Sequence, residues 1–363
     1  MSARPSPAAG AAHGGGENGG AQREANATQA GGQRMDARWW REQLRPYARP
    51  DARRAAVCVA TSVVPYLGLS AAIYLLLGRS PLALLLGIPA AVFLVRSFIV
   101  FHDCSHGSFF ASRRANAWLG RVIGLLLYSP FHRWRHDHAV HHATAGNLDR
   151  RGTGDLHTLT VAEYDALAWR GRLSYRLMRN PLIMFGLGPI VAMIIGPRIV
   201  ARRARPRMRR SVLATDAALG VIVGVLVWLI GWRDYLLVLG LPALLAGSIG
   251  IWLFYVQHQF EDAYWNGTES WSFTEAALRG SSFLKLPALL RFCTGNIGYH
   301  HIHHLDAQIP NYNLRRAHDQ TPALHGVPTL SLGDGIRATK LKLYDERRQC
   351  LVGFRDARRK VLV

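Results

Sequence analysis

Long apolar runs, separated by short polar turns, are the dominant pattern of the chain. Four of these runs are nearly free of Asp and Glu, and each has roughly the 20 residues with which a helix crosses the hydrocarbon of a bilayer. Turns at Gly78–Pro81 and Gly231–Asp234 join them in pairs. The pattern predicts an all-α integral membrane protein whose four transmembrane helices form two hairpins, at 55–77 with 82–101 and at 212–230 with 235–256.

Two further apolar segments are predicted to stay on one side of the membrane. Residues 117–128 are too few to cross it, so we expect a helix that lies in the interface or enters partway. Residues 181–200 are long enough to cross, but Gly and Pro residues interrupt the run. We predict that this segment is re-entrant, because a crossing would place the histidine clusters described below on opposite sides. A full crossing is the alternative.

The N-terminal region divides into a tail and a basic segment. Residues 1–33 are rich in Gly, Ala, Pro, Gln and Asn, and they predict a disordered tail because they contain too little apolar surface to order. Residues 34–54 contain seven Arg together with Trp39 and Trp40, a composition typical of an interfacial segment before a span. The remainder, 34–363, is predicted to be a single domain.

Charge favours a membrane protein over a nucleic-acid binder. The formal net charge is +21, but the Arg residues lie beside the apolar runs, where they meet anionic lipid and determine orientation. The positive-inside tendency predicts that both termini are cytoplasmic. The four cysteines are too few and too scattered for a disulfide framework or a Cys-rich metal site.

Most of the 16 histidines fall into three groups, at 102–106, 136–142 and 300–304. Positions i, i+3 and i+4 share one face of a helix, so each group can direct several imidazoles to one point. Imidazole is the commonest biological metal ligand, and eight of them exceed the capacity of one ion, so two metal ions are predicted. The candidates from spacing are His102, His106, His138, His141, His142, His300, His303 and His304.

The other histidines carry weaker signals. His258 follows the fourth apolar run and is either an interfacial residue or a ninth ligand. Four histidines in or near the groups but off the shared faces are assigned supporting roles: His132, His136, His157 and His301. Three isolated ones are interpreted as ordinary polar residues: His13, His318 and His325. Three carboxylates are predicted to orient ligand imidazoles rather than to bind metal: Asp103, Asp137 and Asp155.

The sequence around these residues resembles the membrane fatty acid desaturases. Their pattern is H-x3 or 4-H, H-x2-H-H and H-x2-H-H with an extra His before the third box. The similar stretches are HDCSHGSFF from His102, HHATAGNLDRRGTGD from His141, FYVQHQFED from Phe254 and NIGYHHIHHL from Asn296. They are most similar to the bacterial and cyanobacterial acyl-lipid branch, and the resemblance covers 34–363.

The resemblance implies four spans and a cytosolic helical cap that holds a non-haem di-iron centre. In the stearoyl-CoA branch an Asn four residues before the extra His holds a metal-bound water, but Phe254 occupies that position here. Asn296 is either a substitute for that Asn or a helix cap. The ligands implied for the two irons are His102, His106, His138, His141, His142, His258, His300, His303 and His304.

The implied activity is O2-dependent desaturation of a fatty acyl chain. The chain is expected to be lipid-linked and to be held in an apolar tunnel. No His-Pro-Gly-Gly haem motif is present, so a separate ferredoxin-like carrier is expected to deliver electrons. The expected location is a bacterial inner membrane, with all three boxes cytoplasmic. Two alternatives remain open from sequence: a lipid or carotenoid hydroxylase or ketolase on the same scaffold, and a histidine-rich metal transporter or sensor.

Overall fold

The structure is a computed structural model that describes residues 35–200 and 204–358. The predicted disordered tail, 1–33, lies outside the described residues. The first helix, α1 (Ala37–Leu44), begins at Asp36, whose carboxylate accepts hydrogen bonds from the backbone N–H groups of Arg38 and Trp39. It buries Trp40 and Leu44 against the cap.

Two long helices form the first hairpin. They are α2 (Ala52–Leu77) and α3 (Pro81–His106), and both are long and apolar enough to cross a membrane. Ser80 accepts a hydrogen bond from the Leu82 N–H and so begins the second helix. This helix ends at Gly107, whose φ of 74° favours glycine. Both helices therefore extend beyond the predicted runs at 55–77 and 82–101.

The second hairpin comes later in the chain. Its helices are α9 (Pro206–Ile230) and α10 (Trp232–His258), which also pass the length and hydropathy requirements for a span. Only Gly231 separates them. Its φ of 79° and ψ of 153° are a backbone conformation that residues with a Cβ rarely adopt. The predicted turn at Gly231–Asp234 is thus too long. The prediction of four membrane helices in two hairpins is confirmed.

Between the hairpins the chain forms helices at the edge of the membrane domain. The structure places α4 (Arg113–Leu126) over the predicted segment 117–128, with Trp118 and Val122 exposed on one face. Next come α5 (Phe131–Thr144), the short strand β1 (Leu159–Thr160) and α6 (Val161–Ala166).

An irregular pair of helices covers the other predicted re-entrant segment. Helix α7 (Trp169–Met178) is followed by α8 (Ile183–Arg198), and the two are bent by 61° at their junction. Most of α8 is π-helical, on both sides of Pro189, which has no N–H to donate. A bend of this kind fits a broken span as well as a re-entrant loop, so the re-entrant assignment of 181–200 stays a prediction.

The cap consists of short helices and very short strands that follow α10. The strands form two small sheets. In one, β4 pairs with β5 and with β1 from the earlier part of the chain, and in the other β2 pairs with β3. These elements pack over the ends of α3 and α10 and bring the third histidine group beside the first two. They are α11 (Phe273–Arg279), β2 (Phe283–Leu284), α12 (Ala288–Cys293), α13 (His300–Leu305), α14 (Asn311–Asp319), β3 (Thr329–Leu330), α15 (Leu332–Ala338), β4 (Leu343–Asp345) and β5 (Cys350–Val352).

Candidate metal centre

The first histidine pair lies at the C-terminal end of α3. His102 and His106 are one helical turn apart, so their rings project in the same direction, with centroids 4.9 Å apart. Asp103 is buried beside them, and its Oδ1 is 3.0 Å from His102 Nδ1. That contact leaves the other ring nitrogen of His102 directed at the cluster.

The second group lies on α5 and divides between two directions. His138 and His142 are four residues apart, and their Nε2 atoms are 3.1 Å apart. His141 is about 100° around the helix from His142, and its Nε2 instead lies 3.2 Å from Nε2 of His258, the last residue of α10. This helix therefore contributes to two sites.

The third group divides in the same way on α13. His300 and His304 contact each other through Nε2 atoms 3.1 Å apart, and His300 Nε2 is 2.9 Å from His258 Nε2. His303 turns to the other side, with its Nε2 2.9 Å from that of His142. The rings of His142 and His304 are stacked, with centroids 4.2 Å apart, so the two groups are immediate neighbours.

The structure thus brings all nine predicted histidines into two clusters. Within each cluster every residue offers a ligand atom, and these atoms all lie within 4.8 Å of one another. We call them the five-histidine cluster and the four-histidine cluster. The first contains His102, His106, His138, His142 and His303, and the second contains His141, His258, His300 and His304.

The nitrogen contacts fit metal ligation better than hydrogen bonding. Nε2 of His300 lies within 3.1 Å of two other Nε2 atoms, and so does Nε2 of His142. A neutral imidazole nitrogen offers one proton or one lone pair, which cannot satisfy both contacts. Around an ion with metal–nitrogen distances of roughly 2.0–2.1 Å, adjacent ligand nitrogens lie about 3 Å apart. The donor sets therefore fit one ion per cluster.

Burial keeps the imidazoles on α5 and α13 in the neutral form that binds metal. Desolvation lowers the pKa of His138, His142 and His300 well below the usual value, and it does the same for His303 and His304. Neighbouring histidines lower these pKa values further, because two adjacent positive charges would repel each other. A cluster of neutral nitrogen donors suits iron, zinc, copper or nickel.

Two of the three predicted orienting carboxylates contact cluster histidines. Asp103 contacts His102, and its second oxygen accepts a 2.6 Å hydrogen bond from the Asn311 backbone N–H. Asp155 forms a short contact with Nδ1 of His141. The assignment of Asp137 is wrong, because its carboxylate pairs with Arg133 at 2.6 Å, one helical turn earlier.

The predicted supporting histidines lie apart from the clusters. In the described part of the chain, none of the four forms a hydrogen bond to a cluster histidine. His132 contacts Arg121, and His301 packs against the rings of Phe283 and His318. His136 and His157 are exposed. His318 and His325 contact each other, and His13 lies outside the described residues.

Asn296 has neither of the roles suggested for it. Its side chain donates to the backbone oxygen of Asn311 at 3.0 Å, and α13 has no side-chain cap. Its φ of 60° shows that it occupies a left-handed turn, where Asn is favoured among residues with a side chain. Phe254 instead lies beside the four-histidine cluster, with its ring 5.0 Å from that of His141 and 5.1 Å from that of His258.

An apolar cavity of about 710 Å³ lies directly against both clusters. Its walls come from α3, α8 and α10, and include Phe98, Val191 and Ile251. One part of the lining consists of His102 and His138 from the five-histidine cluster and His300 from the four-histidine cluster. A long apolar ligand in this cavity would therefore lie beside both clusters.

Sequence reasoning missed two residues that hold this site. Trp134 stacks on His138 with ring centroids 4.3 Å apart, and it also lines the cavity. It lies four residues before His138, so helical spacing could have predicted that the two side chains share one face of α5. The Asn311 N–H contacts Asp103 from a distant part of the chain, and no local pattern pointed to it.

The sequence profile described as fatty acid desaturase matches residues 79–331. The chain belongs to the fatty acid desaturase family. A relative named fatty acid desaturase from Bacillus subtilis (strain 168) is 45% identical over 315 residues, which cover 86% of this chain and 90% of the relative. The protein is accordingly an oxidoreductase of the desaturase class.

More distant desaturases share the same region. The sn-1 acyl-lipid omega-3 desaturase (ferredoxin) of Synechocystis sp. is 29% identical over 231 residues, covering 61% of this chain and 62% of the relative. The sn-1 oleoyl-lipid 12-desaturase of the same organism is 27% identical over 226 residues, covering 62% and 64%. The resemblance to acyl-lipid desaturases deduced from the histidine boxes is confirmed.

Proposed function

We propose that this desaturase introduces a double bond into a lipid-linked fatty acyl chain in an O2-dependent reaction at two irons. One iron is held by the five-histidine cluster and the other by the four-histidine cluster. The observation that carries the proposal is the apolar cavity whose lining includes His102, His138 and His300, because these residues come from both clusters. When bound, the metal pair supplies the reduction of O2 that accompanies removal of two hydrogens from adjacent methylenes.

The protein's own contribution is to position the chain. Saturated methylenes have no polar group by which an enzyme can recognise them, so the reacting carbons must be selected by how the whole chain is held. The cavity walls are mainly apolar side chains such as Leu94, Phe98 and Leu253, which exclude water along the chain. Trp134, stacked on His138, lines the cavity beside the five-histidine cluster.

Asp103 and Asp155 keep two imidazoles in place for the metals. Each accepts from Nδ1–H of its histidine, which fixes the tautomer that presents Nε2 to the cluster. His258 is fixed in the same way, since its Nδ1 lies 3.2 Å from the Gly280 carbonyl oxygen. These contacts orient donors from α3, α5 and α10 before any metal binds.

The electron donor is proposed to be a separate ferredoxin-like protein. Two relatives, from Synechocystis sp. and Nostoc sp., carry ferredoxin in their names. The proposed location is a bacterial inner membrane, with both termini and the three boxes on the cytoplasmic side, where a reduced carrier is available. The Arg-rich segments beside the spans support that orientation.

Product analysis after expression in a host without the activity tests the proposal. We expect new monounsaturated or polyunsaturated acyl chains in membrane lipids, which depend on O2 and are lost in a His142→Ala variant. A hydroxylated or keto product without new unsaturation would instead indicate the hydroxylase or ketolase alternative. No lipid change, combined with metal uptake by intact cells, would favour the transporter alternative and contradict the proposal.

A further inference from the structure

Helix α7 exposes an apolar stripe together with a cluster of arginines. Trp169, Leu173 and Leu177 are spaced i, i+4, i+8, and their exposed fractions are 69%, 48% and 48%. Three residues at this spacing lie on one face of a helix. Exposed apolar side chains with a Trp and flanking Arg residues are typical of a helix that lies in the membrane interface.

The cations around this stripe have no acidic partners. Helix α7 contains Arg170, Arg172 and Arg176, and Arg179 follows its last turn. Among the ion pairs of the described residues, none involves any of these four arginines. They contact carbonyl groups, aromatic rings or a phenol instead, as Arg176 does with the hydroxyl of Tyr164 at 2.6 Å. The arginines of α7 therefore lack a salt-bridge partner among the described residues.

Arg179 is buried beside a second cation, Lys342, from a distant part of the chain. Arg179 is 2% exposed and Lys342 is 6% exposed, and both lie against the ring of Tyr255, at 5.2 Å and 5.6 Å from its centroid. Nη2 of Arg179 donates to Gln259 Oε1 at 2.8 Å. Nε and Nη1 of Arg179 and Nζ of Lys342 have no hydrogen-bond partner in the described structure.

Such a pair is costly without an anion. A buried charge that lacks a partner destabilises a protein, and here two charges of the same sign are neighbours. Burial and the charge of Arg179 lower the pKa of Lys342 to about 7, which reflects the same repulsion. An anion with several oxygens accepts hydrogen bonds from more than one cationic donor, which would relieve this cost.

We propose that Arg179 and Lys342 bind the phosphate group of an anionic membrane lipid, with α7 lying in the interface beside it. The exposed stripe of Trp169, Leu173 and Leu177 contacts the same leaflet, and Leu182, which is 83% exposed, lies three residues after the buried arginine. Arg179 lies at the bent junction between α7 and α8. This inference rests on the membrane location of the chain and not on its catalytic reaction.

The test uses the full chain in neutral detergent and compares three additives at constant ionic strength: phosphatidylglycerol, phosphatidylcholine and inorganic phosphate. We expect phosphatidylglycerol to raise the thermal unfolding midpoint of the wild-type protein, and native mass spectrometry to detect its retention. Lys342→Met and Arg179→Gln should weaken that retention about 10-fold or more, because each removes a charge-assisted contact. Lys342→Met keeps the test valid if Arg179→Gln does not fold.

The matched control is Arg315→Gln, which changes an exposed arginine of α14 that pairs with Asp319. It should retain phosphatidylglycerol like the wild type. Equal stabilisation by phosphatidylcholine, or by inorganic phosphate alone, would overturn the assignment to an anionic lipid. Unchanged retention of phosphatidylglycerol by Lys342→Met would overturn the site itself.

Discussion

At the scale of single residues, what distinguishes a cluster histidine is the direction in which its ring nitrogens point. His258 stands alone in the sequence, yet its Nε2 contacts His141 and His300, whereas His301 lies inside a box and contacts neither cluster through its ring. Helical spacing and family resemblance together predicted this contrast, since His301 is about 100° around the helix from His300 and the resemblance implied His258 as the ninth ligand. Position in a motif alone would have ranked the two in reverse.

Replacing His258 and His301 one at a time distinguishes a metal ligand from a histidine that only lies nearby. We expect His258→Ala to abolish desaturation and to lower the metal content, because it removes one of four nitrogen donors from a cluster. His301→Ala, compared at equal membrane abundance, should retain activity within about 10- to 100-fold of the wild type, the range usual for residues that do not bind the metal. An inactive His301→Ala beside an active His258→Ala would show that the ninth histidine is misassigned.

The carboxylate contacts predict a second contrast. Asp155→Asn should lower metal affinity or turnover by about 10- to 100-fold, because the amide holds His141 less firmly than a carboxylate does. The control is Asp165→Asn at an exposed position on α6. Metal retention during dialysis against a chelator measures the difference, and equal retention by both variants would count against an orienting role.

Lys342 predicts how stability depends on pH in the absence of anionic lipid. Its folded-state pKa is about 7, below the ordinary value of 10.5, so the unfolded chain binds more protons between these two values. Stability should therefore rise with pH from about 7 toward 10.5. Thermal unfolding at a series of pH values measures this rise. In Lys342→Met it should be smaller, and an identical pH profile for both proteins would contradict the burial of a charged amine.

At the scale of helices, the irregular segments shape the cavity. Helix α8 lines the cavity with Leu187 and Val191, while the regular helix α10 contributes Gly250 and Ile251. The apolar runs predicted the regular helices well, because roughly 20 apolar residues have few alternatives. The path of α8 could not be predicted, since Gly and Pro permit several conformations and only tertiary packing selects one.

Gly250 offers a direct test of the acyl cavity. It lines the cavity, and a Cβ added there would have no heavy atom within 4 Å. We expect Gly250→Leu to fold and to shift the products toward shorter acyl chains, with turnover of the normal chain falling by about 10-fold or more, because the added side chain occupies space meant for methylenes. Gas chromatography of the lipid acyl chains measures both effects.

The matched variant for this test is Gly224→Leu on α9, where an added Cβ also meets nothing within 4 Å and which does not line the cavity. It should leave the product distribution unchanged. If both variants behave like the wild type at equal abundance, the cavity does not hold the acyl chain.

At the scale of the whole molecule, two helices tie the clusters together. Both α5 and α13 contribute to each cluster, so the spacing of the two sites is set by the relative position of these two helices. The nine histidines were predicted from local spacing and family resemblance. Their division into five and four was not, because it depends on how α3, α5, α10 and α13 cross, which no single segment determines.

Orientation of the whole molecule is tested by labelling. Single cysteines at Ser80 and Asp234, next to the junctions within the two hairpins, should react with a membrane-impermeant reagent added outside intact cells. A cysteine at Asp319 in the cap should react only after the membrane is opened. The unsubstituted chain gives the background from its native cysteines. Labelling of the cap from outside would reverse the proposed topology.

The measurement that tests the central claim most directly is the metal content of active, detergent-purified enzyme. Five nitrogen donors in one cluster and four in the other predict two irons per chain, with activity rising in proportion to iron bound. His142→Ala should reduce the iron content of the five-histidine cluster and abolish turnover. Full activity in protein that contains a single metal ion, or zinc without iron, would contradict the account.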